Sequence, residues 1–238
     1  MTPPRDLAAN RRWADDGTAL FLRALAGLTD DSLEGPTELP DWTRMHLVAH
    51  VAGNAEALRN LASWAATGEE TPMYSSPDQR NSDIRVGARR PPADVRRWAE
   101  DSALRLSAAL AELSEEQWSH TVRTAQGRLV PAGEIPWLRA REVMIHSIDL
   151  DPTLSFDALP DDFLLALIDE VATRRSDGRG PALVLGAGDG RPSWRVSGRG
   201  EPSEVHGSLG NVAAYLTGRP WTDLTATVGA VPDLPPWL

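Results

Sequence analysis

The sequence predicts an α+β protein, with a four-helix bundle over residues 1–154 and a smaller α/β domain over 155–238. Two observations carry that prediction. Apolar residues recur at steps of three and four through four segments of the first two thirds, the period of a helix with one buried face. After Asp151-Pro152 the texture changes to short apolar runs separated by Gly and Pro, mixed with two further helical patterns.

The first helix follows Pro3-Pro4, carries Leu7, Leu20, Phe21, Leu25 and Leu28, and ends near 27–31. The second begins after Pro40, where Asp41 or Thr43 can cap the open amides. Its stripe is Val48, Val51, Ala52, Ala55, Leu58 and Ala62, and it stops at Gly68. Residues 68–92, rich in Pro, Ser and Arg, read as a long polar connection of the kind that often carries function. Val95, Trp98, Ala99, Leu106, Ala109, Leu110 and Leu113 mark the third helix. In 118–131 the pair Gln126-Gly127 predicts a turn between two short extended pieces, and a fourth helix runs from about 131 to 150. Four such stripes bury themselves by facing one another. Beyond residue 155 the pattern predicts a helix over 161–175 and short strands near 182–185, 193–197 and 204–206. A helix over 208–216, ending at Gly218, and a last strand over 225–228 complete the smaller domain.

Composition narrows the function classes. The chain of 238 residues has 24 basic side chains, every one of them Arg, against 34 acidic ones, for a net charge of −10. That balance opposes nucleic-acid binding, which needs a basic footprint. With no Cys there is no disulfide scaffold, no thiolate metal site and no thiol nucleophile belonging to the chain. No apolar stretch approaches membrane-spanning length, and residues 1–10 lack the apolar centre of a signal peptide. A soluble cytoplasmic protein, without nucleic-acid or membrane partners, is the expectation. Phosphate-loop and serine-hydrolase motifs are absent: Gly186, Gly188 and Gly190 lie in a short connection without the helix entry or Lys of a phosphate loop.

The fourth helix holds the most informative residues. Ile135, Leu138, Glu142, Ile145, His146 and Asp149 share one face, which turns Glu142 and His146 towards the bundle interior. A buried carboxylate requires a partner, a proton or a metal. Glu142 and His146, one turn apart, can reach one ion or simply hydrogen-bond to each other; the spacing serves both. A bundle metal site takes a further ligand from a facing helix. His46 and His50 on the second helix both qualify, with Asn54 continuing their line, and periodicity does not choose between them. Two His and one Glu with an open position is a common catalytic zinc set, though iron, nickel and manganese accept the same donors. His120 and His206 stand among polar residues and read as structural or exposed. Trp42, Trp64 and Trp137, near helix ends, serve to close the core or line a pocket.

Several segments resemble a known family. Leu39-Pro40-Asp41-Trp42-Thr43-Arg44, with His46 and Ala49-His50-Val51-Ala52, is similar to the second-helix signature of the DinB-like metal-binding four-helix bundles. The run Thr67-Gly68-Glu69-Glu70-Thr71-Pro72-Met73-Tyr74 resembles, more narrowly, the mycothiol-dependent maleylpyruvate isomerases. So do Thr124-Ala125-Gln126-Gly127-Arg128, Arg141-Glu142-Val143, Ile145-His146 and the terminal Pro235-Pro236-Trp237-Leu238. The likeness spans essentially the whole chain. It implies one zinc ion held by His50, Glu142 and His146, with His46 a neighbour one turn earlier. It implies too that Arg219, in Ala214-Tyr215-Leu216-Thr217-Gly218-Arg219, matches an Arg needed for activity.

The implied reaction converts maleylpyruvate to fumarylpyruvate, a step of gentisate-type aromatic degradation, with mycothiol as a thiol cosubstrate. Adding a thiol across an activated cis double bond leaves a single bond that can rotate, and expelling it restores the trans alkene. A chain without Cys must borrow that sulfur. Arg219 would pair with a substrate carboxylate or developing enolate oxygen, and Arg80, in the long connection, with a second carboxylate of the dicarboxylate substrate. A monomer is the expected state. Two other functions remain compatible at this point: a mycothiol S-transferase using the same zinc triad on electrophiles, and a non-catalytic small-molecule binding module.

Overall fold

The computed structural model describes residues 5–188 and 193–237; Pro3-Pro4, Gly190 and Leu238, named above, lie outside them. The chain divides into two compact units, one over Asp6–Pro152 and one over residues 153–237 together with Arg5.

The first unit is built on four long helices. α1 (Leu7–Gly27) starts where the Asp6 carboxylate accepts the Ala9 N–H at 2.7 Å. A short α2 (Asp30–Glu34) leads to α3 (Arg44–Thr67), capped by Thr43 rather than Asp41 and stopped by Gly68 at φ 76°, a backbone conformation that glycine adopts without strain. Residues 68–92 are not one connection: they contain α4 (Pro77–Gly87), entered through a Ser76 cap with Pro at the first turn. Its sequence shows no apolar stripe because Ile84 and Gly87 are its only buried residues. α5 (Pro92–Ala111) and the single turn α6 (Glu115–Trp118) follow. The antiparallel pair β1 (Thr121–Arg123) and β2 (Leu129–Pro131) turns at Gly127, and α7 (Ile135–Leu150) completes the unit.

α1 packs along α7, α3 packs on α5 and α7, and α4 lies against α3. At one end Leu58, Leu61, Ala65, Leu106, Val122 and Ile135 form a closed apolar layer. Elsewhere Trp13 and Trp137 meet edge to face at 5.7 Å. α1 reaches α7 closely at Gly17, where an added Cβ would lie 2.6 Å from Val143 Cγ2 and 2.9 Å from Met144 Cγ. Overpacking there costs about 1–3 kcal/mol, against the roughly 1 kcal/mol that Ala gains in helix propensity, so Gly17→Ala is expected to destabilise the protein by about 1–2 kcal/mol net. A urea-unfolding midpoint equal to that of the parent would contradict the tight α1–α7 contact.

The second unit sets α8 (Asp161–Arg175) and α9 (Leu209–Leu216) with a four-stranded sheet. β3 (Pro181–Gly186), β4 (Ser193–Val196), β5 (Arg199–His206) and β6 (Thr225–Ala226) run in the order β4-β3-β5-β6. The β3–β5 pair is parallel and the outer two pairs are antiparallel. Every residue of α9 is buried, and Arg175 ties its end down by donating to Leu216 O at 2.7 Å.

Candidate metal centre

Facing helices of the first unit supply the centre. The long apolar stripe of α3 holds His50 inside, and α7 presents Glu142 and His146 one turn apart. His50 Nε2 lies 2.8 Å from Glu142 Oε2, and His146 Nε2 lies 3.5 Å from the same oxygen. One donor atom from each of the three residues falls within 4.8 Å of the other two. The imidazoles stand nearly perpendicular, 88° apart with centroids separated by 5.0 Å. Trp42 packs its edge on His50 at 5.4 Å, so this tryptophan lines the site while Trp137 closes the core.

The structure decides between the two α3 histidines. His46 Nδ1 accepts the Thr43 N–H at 3.3 Å and meets the Thr43 hydroxyl at 2.8 Å, which makes it part of the helix cap. His120 is also structural, its Nδ1 lying 2.7 Å from Ala65 O, and His206 is exposed on β5.

Each member of the triad is held in a defined state. Burial pushes His50 below the ordinary histidine range, against the pull of Glu142. Burial alone would raise Glu142, but hydrogen bonds and charge from His146 and His50 hold its carboxyl well below the usual carboxylate range. His146 is raised, because the carboxylates of Asp149 and Glu142 outweigh its burial. The Glu142 side chain is 24% exposed, against 7% for His50 and 12% for His146, so the carboxylate side of the cluster is the one open to an incoming group.

Arg80 reaches the centre from α4, its Nη2 lying 3.3 Å from His50 Nδ1. A guanidinium has only donors, so His50 Nδ1 accepts and Nε2 carries the proton given to Glu142. A cation at Nε2 requires the opposite tautomer, and Arg80 must then turn away from the ring. Asp149, on the same face of α7, accepts from His146 Nδ1 at 2.8 Å with its own side chain 2% exposed. That bond orients the ring and leaves Nε2 aimed at Glu142. Asp149→Asn should therefore weaken metal binding about 10–100-fold with little change in fold, measured by competition with a chromophoric chelator. Parent-like affinity would remove Asp149 from the centre.

Two participants were not legible as such in the sequence. Arg139, 3% exposed and one turn before Glu142, donates from Nη1 to Val51 O at 2.8 Å and to Asn54 Oδ1 at 3.0 Å, tying α7 to α3. Burial lowers its guanidinium to about 10, opposed by the charges of Glu142 and Tyr74. Tyr74 is raised by burial first and by the charge of Glu142 second, and the Arg80 guanidinium lies 5.9 Å from the centre of its ring. An Arg in an otherwise apolar stripe and an Asn four residues after His50 were the available signals. Arg219 lies in the second unit just after α9, with its N–H bonded to Ala214 O and its Nη1 to Thr217 O, both at 2.8 Å.

The donor set suits zinc. Two imidazole nitrogens and one carboxylate oxygen at about 2.0–2.2 Å from a tetrahedral ion are separated by roughly 3.3–3.6 Å. The observed 3.5 Å falls within that spacing and the 2.8 Å is about half an ångström short of it, so His50 and Glu142 would have to draw apart to share an ion.

Comparisons with known proteins agree with this architecture. Residues 14–151 match the family described as the mycothiol maleylpyruvate isomerase N-terminal domain. A crystal structure of a mycothiol-dependent maleylpyruvate isomerase superposes with a TM-score of 0.93 at 40% identity, covering 98% of both chains. A histidine-to-alanine mutant of a mycothiol-dependent maleylpyruvate isomerase superposes equally, with a TM-score of 0.93 and 40% identity over 98% of each chain. YfiT from Bacillus subtilis, described as a probable metal-dependent hydrolase with an unusual four-helix bundle topology, gives a TM-score of 0.51 at 17% identity over 62% of this chain and 89% of its own. That likeness is one of fold alone. No curated protein matches the chain. A shared fold over nearly the full length and the matching N-terminal unit place this chain in the mycothiol-dependent maleylpyruvate isomerase family.

Proposed function

We propose that the protein is a mycothiol-dependent cis–trans isomerase that converts maleylpyruvate to fumarylpyruvate, with a zinc ion held by His50, Glu142 and His146. The observation that carries this reading is the convergence of those three donor atoms within 4.8 Å. It occurs in a chain 40% identical to an enzyme of that description.

When bound, the cation favours the deprotonated form of a thiol, and the thiol supplies the nucleophile that makes the cis double bond temporarily single. The chain provides the setting. Glu142 stays ionised and balances the positive charge of the site, while neutral His50 offers its lone pair. Asp149 fixes the orientation of His146. Arg80, released from His50, has a guanidinium ready for one substrate carboxylate, and Arg219 serves a second carboxylate or the developing enolate oxygen. No side chain of the protein competes as a sulfur nucleophile, since the sequence has no Cys. The reading fits a cytoplasmic location, where small thiols are kept reduced; no helix among the described residues is long and apolar enough to cross a membrane.

The test follows the absorbance of maleylpyruvate with purified, metal-quantified protein, with and without mycothiol. Thiol-dependent loss is expected. Turnover of a bimane electrophile without isomerisation would replace the isomerase by an S-transferase. Protein unable to take up metal would leave only small-molecule binding. In the same assay Arg219→Ala should lower turnover at least about tenfold, the value of one charge-assisted contact, while metal content stays at the parent level. Unchanged kinetics would remove Arg219 from the mechanism.

A further inference from the structure

A cavity of about 380 Å³ opens within the second unit, lined by the end of α8, the start of β3 and the chain end at 234–237. This is within the range of about 300–1,000 Å³ typical of small-ligand sites. None of its lining residues belongs to the metal centre. Three guanidiniums line it, and two of them are committed to carboxylates. Arg174 Nη2 lies 2.6 Å from Glu170 Oε1. Arg179 takes both oxygens of Asp177, its backbone N–H donating to Oδ1 at 2.9 Å and its Nε to Oδ2 at 2.5 Å.

Arg175 is the exception. It is 9% exposed, and its partners among the described residues are two neutral carbonyls: Nε donates to Leu216 O at 2.7 Å and Nη1 to Pro235 O at 3.0 Å. Burial lowers this guanidinium first of all, with Tyr215 and then Asp177 opposing. Its Nη2 is buried without an acceptor among the described residues, and so is Trp237 Nε1. A buried cation calls for a negative partner, and a buried N–H without an acceptor carries the full cost of its lost water. Two such donors line one cavity, and a carboxylate, with two oxygens, can accept from both. The remaining lining is apolar, with Pro181, Val196, Leu234 and Pro236 beside the Trp237 indole. Such walls suit an anion with a flat apolar body. A second carboxylate would meet Asp177 and no uncommitted guanidinium, and inorganic phosphate would leave the apolar walls unfilled.

We propose that this cavity is a second ligand site, which takes an aromatic monocarboxylate: the carboxylate accepts from Arg175 Nη2 and Trp237 Nε1, and the ring lies against the proline and valine side chains. Both nitrogens are covered, so the ligand reaches them as residues 231–237, which have no helix or strand, give way. The site stands apart from the isomerisation proposed above and does not depend on it.

The experiment labels the full chain with fluorotryptophan and follows its fluorine NMR spectrum while benzoate is added. Of the nine tryptophan resonances, the one missing from Trp237→Phe protein belongs to Trp237. That resonance should move with benzoate and saturate. Benzamide has the same shape without the charge, and should bind at least about tenfold more weakly, the value of one hydrogen bond to a charged group. Inorganic phosphate should also bind more weakly than benzoate. Arg175→Met should weaken benzoate binding by about tenfold or more. Should that variant fail to fold, the comparison of benzoate with benzamide in the parent still tests the charge. A Trp237 resonance that stays in place, benzamide binding as tightly as benzoate, or phosphate binding more tightly would each overturn the assignment. Parent-like affinity in folded Arg175→Met protein would do so too.

Discussion

Glu142→Ala protein should emerge from purification without stoichiometric metal, and its isomerase activity should fall by more than about 100-fold, beyond the range seen when only a supporting residue of a metal site is lost. Glu142 Oε2 is the atom both imidazoles approach, at 2.8 and 3.5 Å, so its removal takes away the one negative donor and leaves two rings facing each other. A divalent cation would then sit among neutral ligands in a poorly solvated pocket, a costly arrangement. His50→Ala and His146→Ala should lose metal and activity together as well. The second also removes the imidazole that bonds the buried carboxylate of Asp149 at 2.8 Å. Metal analysis by plasma mass spectrometry beside the absorbance assay reads both quantities. Full activity in all three variants would dismiss the centre.

Arg139→Ala should cost about 3–5 kcal/mol of unfolding free energy, the largest loss of stability expected from one substitution at this site. The truncation removes the guanidinium that bonds Asn54 Oδ1 and Val51 O, and with it a link between α7 and α3. It also opens a void among residues that are almost fully buried. Burying the guanidinium is itself unfavourable, as its lowering to about 10 indicates. Arg139→Met separates the effects: it refills the space and relieves that burial, but restores neither bond. We expect Met to fall between Ala and the parent in urea unfolding. A Met variant more stable than the parent would mean that burial of the charge outweighs the bonds it makes.

The helices that bury a broad face were legible because their period is written in the apolar residues. α1, α3, α5 and α7 each show steps of three and four. α4 was not, because a polar helix that buries only Ile84 and Gly87 has no stripe to read; its stop and start signals, Ser76-Pro77 and Gly87, were the clue. The strands of the second unit were visible as short runs bounded by turns, but their order was not: the parallel pairing of β3 with β5 places β4 on the outside, which no local pattern specifies.

The amino-acid order alone determined which residue types are available: a Glu and a His one turn apart on an inward face, two His on another helix, and no sulfur nucleophile. Helical periodicity fixes neighbours along one rod, because it is local geometry. Which His of α3 meets Glu142 depends on how far α3 is rotated and slid against α7, a relation set by packing between the rods. Tertiary structure settled it, giving His50 to the carboxylate and His46 to the helix cap. It also brought in Arg80, Arg139 and Tyr74, whose distance in sequence from the triad hides what side-chain packing makes adjacent.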